Sequence, residues 1–306
     1  MSEEGLQIII RNFINYLPYG MAVVFCAAVV FRWAIYYTVR RHEWFAKQFE
    51  LRVHKYLDTE AAQSSKNVSF YALTKKLLEK TFYETFALRD RKAGERLDHV
   101  MSVNDRVFLV KQGCAWMVKD ILKQLKFLKW SKETPKLQTI TRSTLQHNPC
   151  FNKVFGIFPM GAVNDLVSIL PGLFVVAGIL GTFLGIKGGL IQLGSLDISD
   201  VEGSKNIMDS FLHEIGFAMA SSIVGIAFSL ALHLINTAMS PERVMHSLVD
   251  RFESAMDLVW YRSENNELPQ NLTAFNENRD PSEALAEEAL ALEVAKTKKE
   301  HYSKVA

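Results

Sequence analysis

The chain has 306 residues, 49% of them hydrophobic, and its 35 Lys and Arg against 33 Asp and Glu leave a formal net charge of +2. A balance so near zero excludes a nucleic-acid partner held by bulk electrostatics. Cys26, Cys114 and Cys150 show no paired spacing, so neither a disulfide framework nor a metal cluster is expected.

In residues 1–17, Leu6, Ile9, Ile10, Phe13, Ile14 and Leu17 recur at helical steps. They predict an amphipathic helix that lies on the outer leaflet or continues into the span behind it. The first window free of charge, Asn12 to Phe31, is interrupted by Pro18 near its outer end. It matches a hydrocarbon core that needs about 20 apolar residues, and the spanning helix is placed at 18–39. Because MSEEGLQIII begins acidic and the window runs into FRWAIYYTVRR, this span is expected to stay as an anchor rather than be cleaved.

Residues 40–162 read as an internal domain with helical periodicity throughout. Phe70, Leu73, Leu77, Leu78, Phe82 and Phe86 mark one amphipathic helix. Val107, Val110, Cys114, Met117, Val118, Ile121, Leu125 and Leu128 mark another, with Lys111, Lys119, Lys123 and Lys126 opposite. That lysine face is either simply solvated or laid on anionic lipid. The stretches Glu133-Thr134-Pro135 and His147-Asn148-Pro149 read as breaks, since proline disfavours a helix running into it.

The second span is placed at 163–190, on the apolar window Leu166 to Ile186. There Gly178, Gly181, Gly185 and Gly188 follow at steps of three, four and three and share a helix face with Thr182 at its edge. Such a face meets protein, because small residues let helix backbones approach closely in a membrane. A short link, 191–210, leads to the third span at 211–239, on the window Ile215 to Met239. Here Ser222, Gly225 and Ser229 fall at steps of three and four, and Ala218 extends the face by one turn. A membrane hydroxyl of this kind either bonds the carbonyl one turn earlier or lines a path for a cation, where oxygen replaces lost hydration. Ser240-Pro241-Glu242 then starts an internal helix, 240–263, and residues 264–306 read as a linker followed by a tail helix from Ser282.

Orientation follows from the flanks. Arg32, Arg40, Arg41, Lys47, Arg52 and Lys55 crowd the exit of the first span, while acidic residues outnumber Lys187 and Lys205 in the link. The amino terminus is therefore expected outside and the carboxyl terminus inside. No carboxylate lies mid-span; Lys187 and Glu214 mark the outer boundary. A chain that moves ions would thus need a partner to supply the acidic group. With no His-Glu-x-x-His, no phosphate-binding glycine loop and no cysteine pair at metal spacing, no enzymatic activity is expected. The fold class is all-α: a polytopic membrane protein with three transmembrane helices and helical cytoplasmic extensions.

Two stretches carry a likeness. Gly178-Ile179-Leu180-Gly181-Thr182-Phe183-Leu184-Gly185-Ile186 is similar to the G-L-x-G-T-x-x-G-I of the MotA/TolQ/ExbB proton-channel family. Ala218-Met219-Ala220-Ser221-Ser222-Ile223-Val224-Gly225-Ile226 resembles that family's A-L-x-A-T-A-x-G-L, with serine where threonine is usual. The three-span layout resembles TolQ and ExbB more than the four-span MotA branch. The resemblance implies a bacterial inner-membrane ring of five subunits around two copies of a single-span partner like TolR, ExbD or MotB. That partner's membrane aspartate would carry a proton or sodium ion past Thr182, Ser222 and Ser221. No cofactor is implied beyond that ion, and no nucleic acid. The family's acidic residue at the start of the last helix has no aligned match, since Phe217 stands there and Glu214 lies almost a turn earlier. Where no such partner exists, the same small faces would belong to a membrane scaffold or signalling subunit.

Overall fold

A computed structural model describes residues 3–59, 69–86, 108–131, 133, 135, 137–194, 201–267, 275 and 279–285. The chain is an all-α polytopic membrane protein, with three helices long and apolar enough to cross a bilayer. In order, the helices are α1 (Glu3–Asp58), α2 (Phe70–Phe86), α3 (Val110–Leu125), α4 (Leu137–His147), α5 (Met160–Leu193), α6 (Val201–Ala238) and α7 (Pro241–Arg262). A two-stranded hairpin, β1 (Lys153–Val154) and β2 (Phe158–Pro159), precedes α5. Most of the tail helix expected from Ser282, residues 286–306, lies outside the described residues, as do 195–200 of the link.

The chain divides into two compact units, Met1–Ala34 with Gly161–Ser240, and Ile35–Met160 with Pro241–Ala306. In the first unit, α1, α5 and α6 surround a small apolar centre of Met21, Ala28, Phe174 and Leu232. The Phe25 ring stacks on Phe228 at 4.7 Å between centroids and leans on Phe174 at 6.3 Å. Around it, Val23, Leu173, Val176, Phe183, Ile223 and Leu230 lie exposed on the three helices. In water an apolar surface of that extent would drive association; against acyl chains it needs no cover, which is why these helices are spans.

Helix α1 runs unbroken from Glu3 through Pro18, so the amphipathic start continues into the span. Helix α6 begins at Val201, so 201–210 of the link is helical. Its 38 residues reach about 57 Å at 1.5 Å each, well beyond a hydrocarbon core of about 30 Å.

In the second unit the amphipathic patterns turn their apolar stripes inward. Helix α3 buries Val110, Cys114, Met117, Val118, Ile121 and Leu125 and leaves Lys111, Lys123 and Lys126 exposed. It packs against α2 and α4, which both pack against α7. The carboxyl-terminal half of α1 contributes Phe45 and Phe49, the latter stacked on Phe252 of α7 at 5.4 Å. Arg251 of α7 reaches Glu50 at 2.6 Å and Glu43 at 3.3 Å on α1. The break at His147-Asn148-Pro149 is organised by the fully buried Asn148 amide. Its Nδ2 donates to the Gly113 carbonyl at 2.7 Å, and its Oδ1 accepts from the Cys150 and Phe151 amides at 3.0 and 3.2 Å. The hairpin that follows departs from the expected all-helical loop: Phe155 and Gly156 take φ of 53° and 73°, which ends helical continuation there.

Candidate functional site

The glycine row of α5 faces α6, and the two helices run antiparallel. A Cβ at Gly178 would stand 3.0 Å from the Ser222 Cα, one at Gly185 would overlap the Ala218 methyl, and one at Gly225 would stand 2.5 Å from the Phe174 carbonyl oxygen. Glycine is needed at Gly178 and Gly225 because the facing backbone itself stands there, and at Gly185 because the Ala218 methyl fills the space. Gly181 lies against Ser221 and Leu17 of α1, and Gly188 against Glu214.

That approach concentrates oxygen. The Thr182 and Ser222 hydroxyls hydrogen-bond each other across the seam. Thr182 Oγ1 also lies 3.1 Å from the Gly178 carbonyl oxygen and 3.2 Å from that of Ala218, while Ser222 Oγ lies 3.0 Å from the Gly178 carbonyl oxygen. The fully buried Ser221 donates to the Ala218 carbonyl at 2.7 Å. Three hydroxyls and two carbonyls thus converge, and each hydroxyl has only one proton to donate. The Thr182–Ser222 bond therefore runs in either of two directions, with Ser222 or Thr182 as the one left to donate to a carbonyl.

Thr182 and Ser222 are half-buried. Each lies about 8–9 Å along its helix from the centre of its apolar window, on the side of the link.

Glu214, Ala218 and Ser222 share one face of α6 at steps of four, so a carboxylate stands about 12 Å from the hydroxyls along the same seam, toward the link. The two boundary residues part company: Lys187 is exposed, whereas Glu214 is half-buried over Gly188 and Gly189. Ser229 is half-buried and lies outside the oxygen cluster.

At the opposite end of the spans is a polar clamp that the sequence reading did not find. Arg32, 5% exposed, donates through Nη1 to Asn164 Oδ1 at 2.7 Å and through Nη2 to the Asn236 carbonyl at 2.9 Å. Asn236 Nδ2 in turn donates to the Val167 carbonyl at 3.1 Å. Each bond has a cause. Pro171 lacks the N–H that would bond the Val167 carbonyl four residues back, so Asn236 takes its place. Asn236 lies in the last turn of α6, where carbonyls lose their helical partners and a cation is favoured. The legible signal was a proline inside one span and an asparagine at the end of the next; only the fold pairs them.

No protein-family model matches the chain, and a search of curated proteins finds no match either. Among the described residues, no group of three or more His, Cys, Asp or Glu is placed to hold a metal ion.

Proposed function

We propose that this chain is the ring-forming subunit of an ion-driven rotary motor in a bacterial inner membrane. Five copies surround two copies of a single-span partner of the MotB, ExbD or TolR type, whose membrane aspartate faces the oxygen-rich seam of α5 and α6. The amino terminus is external and the carboxyl terminus cytoplasmic. Each elementary charge crossing the membrane delivers roughly 2.3 kcal/mol per 100 mV. Protonation or sodium binding neutralises the partner carboxylate, which then leaves one hydroxyl pair for the next, and the ring turns about the partner.

The observation that supports this most is the convergence of Thr182, Ser221 and Ser222 on one seam, with Thr182 and Ser222 only half-buried. A pair able to donate in either direction can serve a neutral or a charged carboxyl alike. Glu214, outward on the same face, supplies negative potential that draws a cation toward it.

The test is ion flux in energised vesicles containing the chain and its partner. Thr182→Val with Ser222→Ala is expected to abolish flux without dissolving the assembly, and Thr182→Ser to keep it. Undiminished flux in the double variant removes these hydroxyls from the path. A second reading, a membrane scaffold without ion conduction, draws support from the hydroxyls finding partners within the chain itself. It predicts that the same variants lose stability while the parent conducts nothing.

A further inference from the structure

The turn of the β1–β2 hairpin is built from the wrong residues for water. Val154, Phe155, Gly156, Ile157, Phe158 and Pro159 include no polar side chain, and the turn closes through the Ile157 amide donating to the Val154 carbonyl at 3.2 Å. Both inner positions have positive φ, 53° at Phe155 and 73° at Gly156, as in turns whose usual occupants are Asn and Gly. A phenylalanine at such a position is strained. It is held there by the Phe108 ring, 5.6 Å away between centroids. The result is an apolar tip: Ile157 is 74% exposed, Phe158 45% and Phe155 39%, with Lys153 exposed at the base.

The hairpin is also fastened to the start of a membrane span. The amide of Met160, first residue of α5, donates to the Asn152 carbonyl at 2.7 Å, which satisfies one of the orphan donors of the helix end. Three residues from Ile157 to Met160 reach at most about 10 Å. The exposed apolar surface of α5 is already under way at Leu166 and Ile169.

We infer that this hairpin is a membrane-interface wedge. Phe155, Ile157 and Phe158 insert at the boundary between headgroups and acyl chains of the leaflet where α5 enters, with the Lys153 ammonium among the phosphates. Its occupant is the lipid bilayer itself, because Ile157 is only three residues along the chain from the first residue of a helix long and apolar enough to cross a bilayer. Aromatic and aliphatic side chains beside a lysine are what that zone accepts. The wedge fixes the depth of α5 and gives the helical unit a second hold on the membrane besides the spans.

The experiment uses the full chain in nanodiscs of phosphatidylethanolamine and phosphatidylglycerol. A nitroxide is attached at Ile157→Cys in a Cys26→Ser background, since Cys114 and Cys150 are buried. Collision accessibility to oxygen and to a water-soluble nickel chelate is compared with labels at Ile179→Cys, on the exposed face of α5, and at Tyr261→Cys on α7. The expected oxygen-to-nickel ratio at 157 lies well above that at 261 and below that at 179, as an interfacial depth requires. A ratio equal to that at 261 puts the tip in water and overturns the inference. Exclusion of both reagents means that protein covers the tip, a second copy or a partner, and overturns it equally. Phe158→Cys repeats the measurement independently, so a folding defect in one variant leaves the result decidable.

Discussion

Replacing Gly185 by alanine tests the seam on which the proposed site is built. The added methyl would overlap that of Ala218, and ordinary Cβ contacts begin only at 3.4 Å. The helices must therefore part, at an overpacking cost of about 1–3 kcal/mol. Alanine also gains about 1 kcal/mol over glycine in intrinsic helix propensity, and that gain is isolated at Gly172, where nothing lies within 4 Å. Gly185→Ala is thus expected to be less stable than Gly172→Ala, and Gly225→Ala less stable still, because there the obstacle is the Phe174 carbonyl oxygen and the Gly178 Cα rather than a side chain.

Moving the methyl from one helix to the other should restore the fit. In the Gly185→Ala, Ala218→Gly double variant most of the loss returns, which appears as a coupling energy of about 1–3 kcal/mol in a double-mutant cycle. The assay is reversible unfolding of the full chain in bicelles by titrated denaturing detergent, followed by helical circular dichroism. Equal stabilities for the 185 and 172 variants, or strict additivity in the cycle, would refute a close-packed seam.

Three further outcomes are expected. Arg32→Lys offers one ammonium where a fork reaches both Asn164 and Asn236, so it should cost about 1.5–3 kcal/mol in the same unfolding assay; no loss would make the clamp incidental. Burial raises the Asp120 carboxyl above its usual 3.8, against the lowering by Lys119, Lys123 and His147. The folded chain then holds that proton to higher pH than the unfolded one, and stability falls as pH rises from 3.8 through the raised value. Asp120→Asn should therefore flatten the pH dependence and be the more stable form above that window; a steeper dependence would reverse the sign. Finally, a water-soluble maleimide should label Cys114 and Cys150 only on unfolding, since both thiols are buried in the native protein. Rapid native labelling of Cys150, whose thiol burial holds above its ordinary value, would contradict the packing around Asn148.

The spans and their small faces were legible because both are one-dimensional signals: apolar length, and glycine or serine at helical steps. What the sequence did not reveal was where length and pattern mislead. The opening turns of α6 are hidden by Glu202, Lys205 and Asp209, which mark water rather than the absence of a helix. The hairpin was missed because Phe155 occupies a position where asparagine would have announced a turn. The clamp escaped for a different reason. The charge pattern points to the basic residues as a flank signal, whereas the uncharged amide of Asn164 is what holds the buried Arg32 guanidinium. The resemblance of two short motifs gave the seam its functional meaning, and it remains the basis of the proposed ring.

The most direct test of that ring is the mass of the complex extracted gently from membranes of cells that make the chain with a single-span protein carrying a membrane aspartate. The account predicts five copies of the 34.7 kDa chain with two of the partner. A chain that leaves the membrane alone, or in another fixed stoichiometry without such a partner, would contradict it.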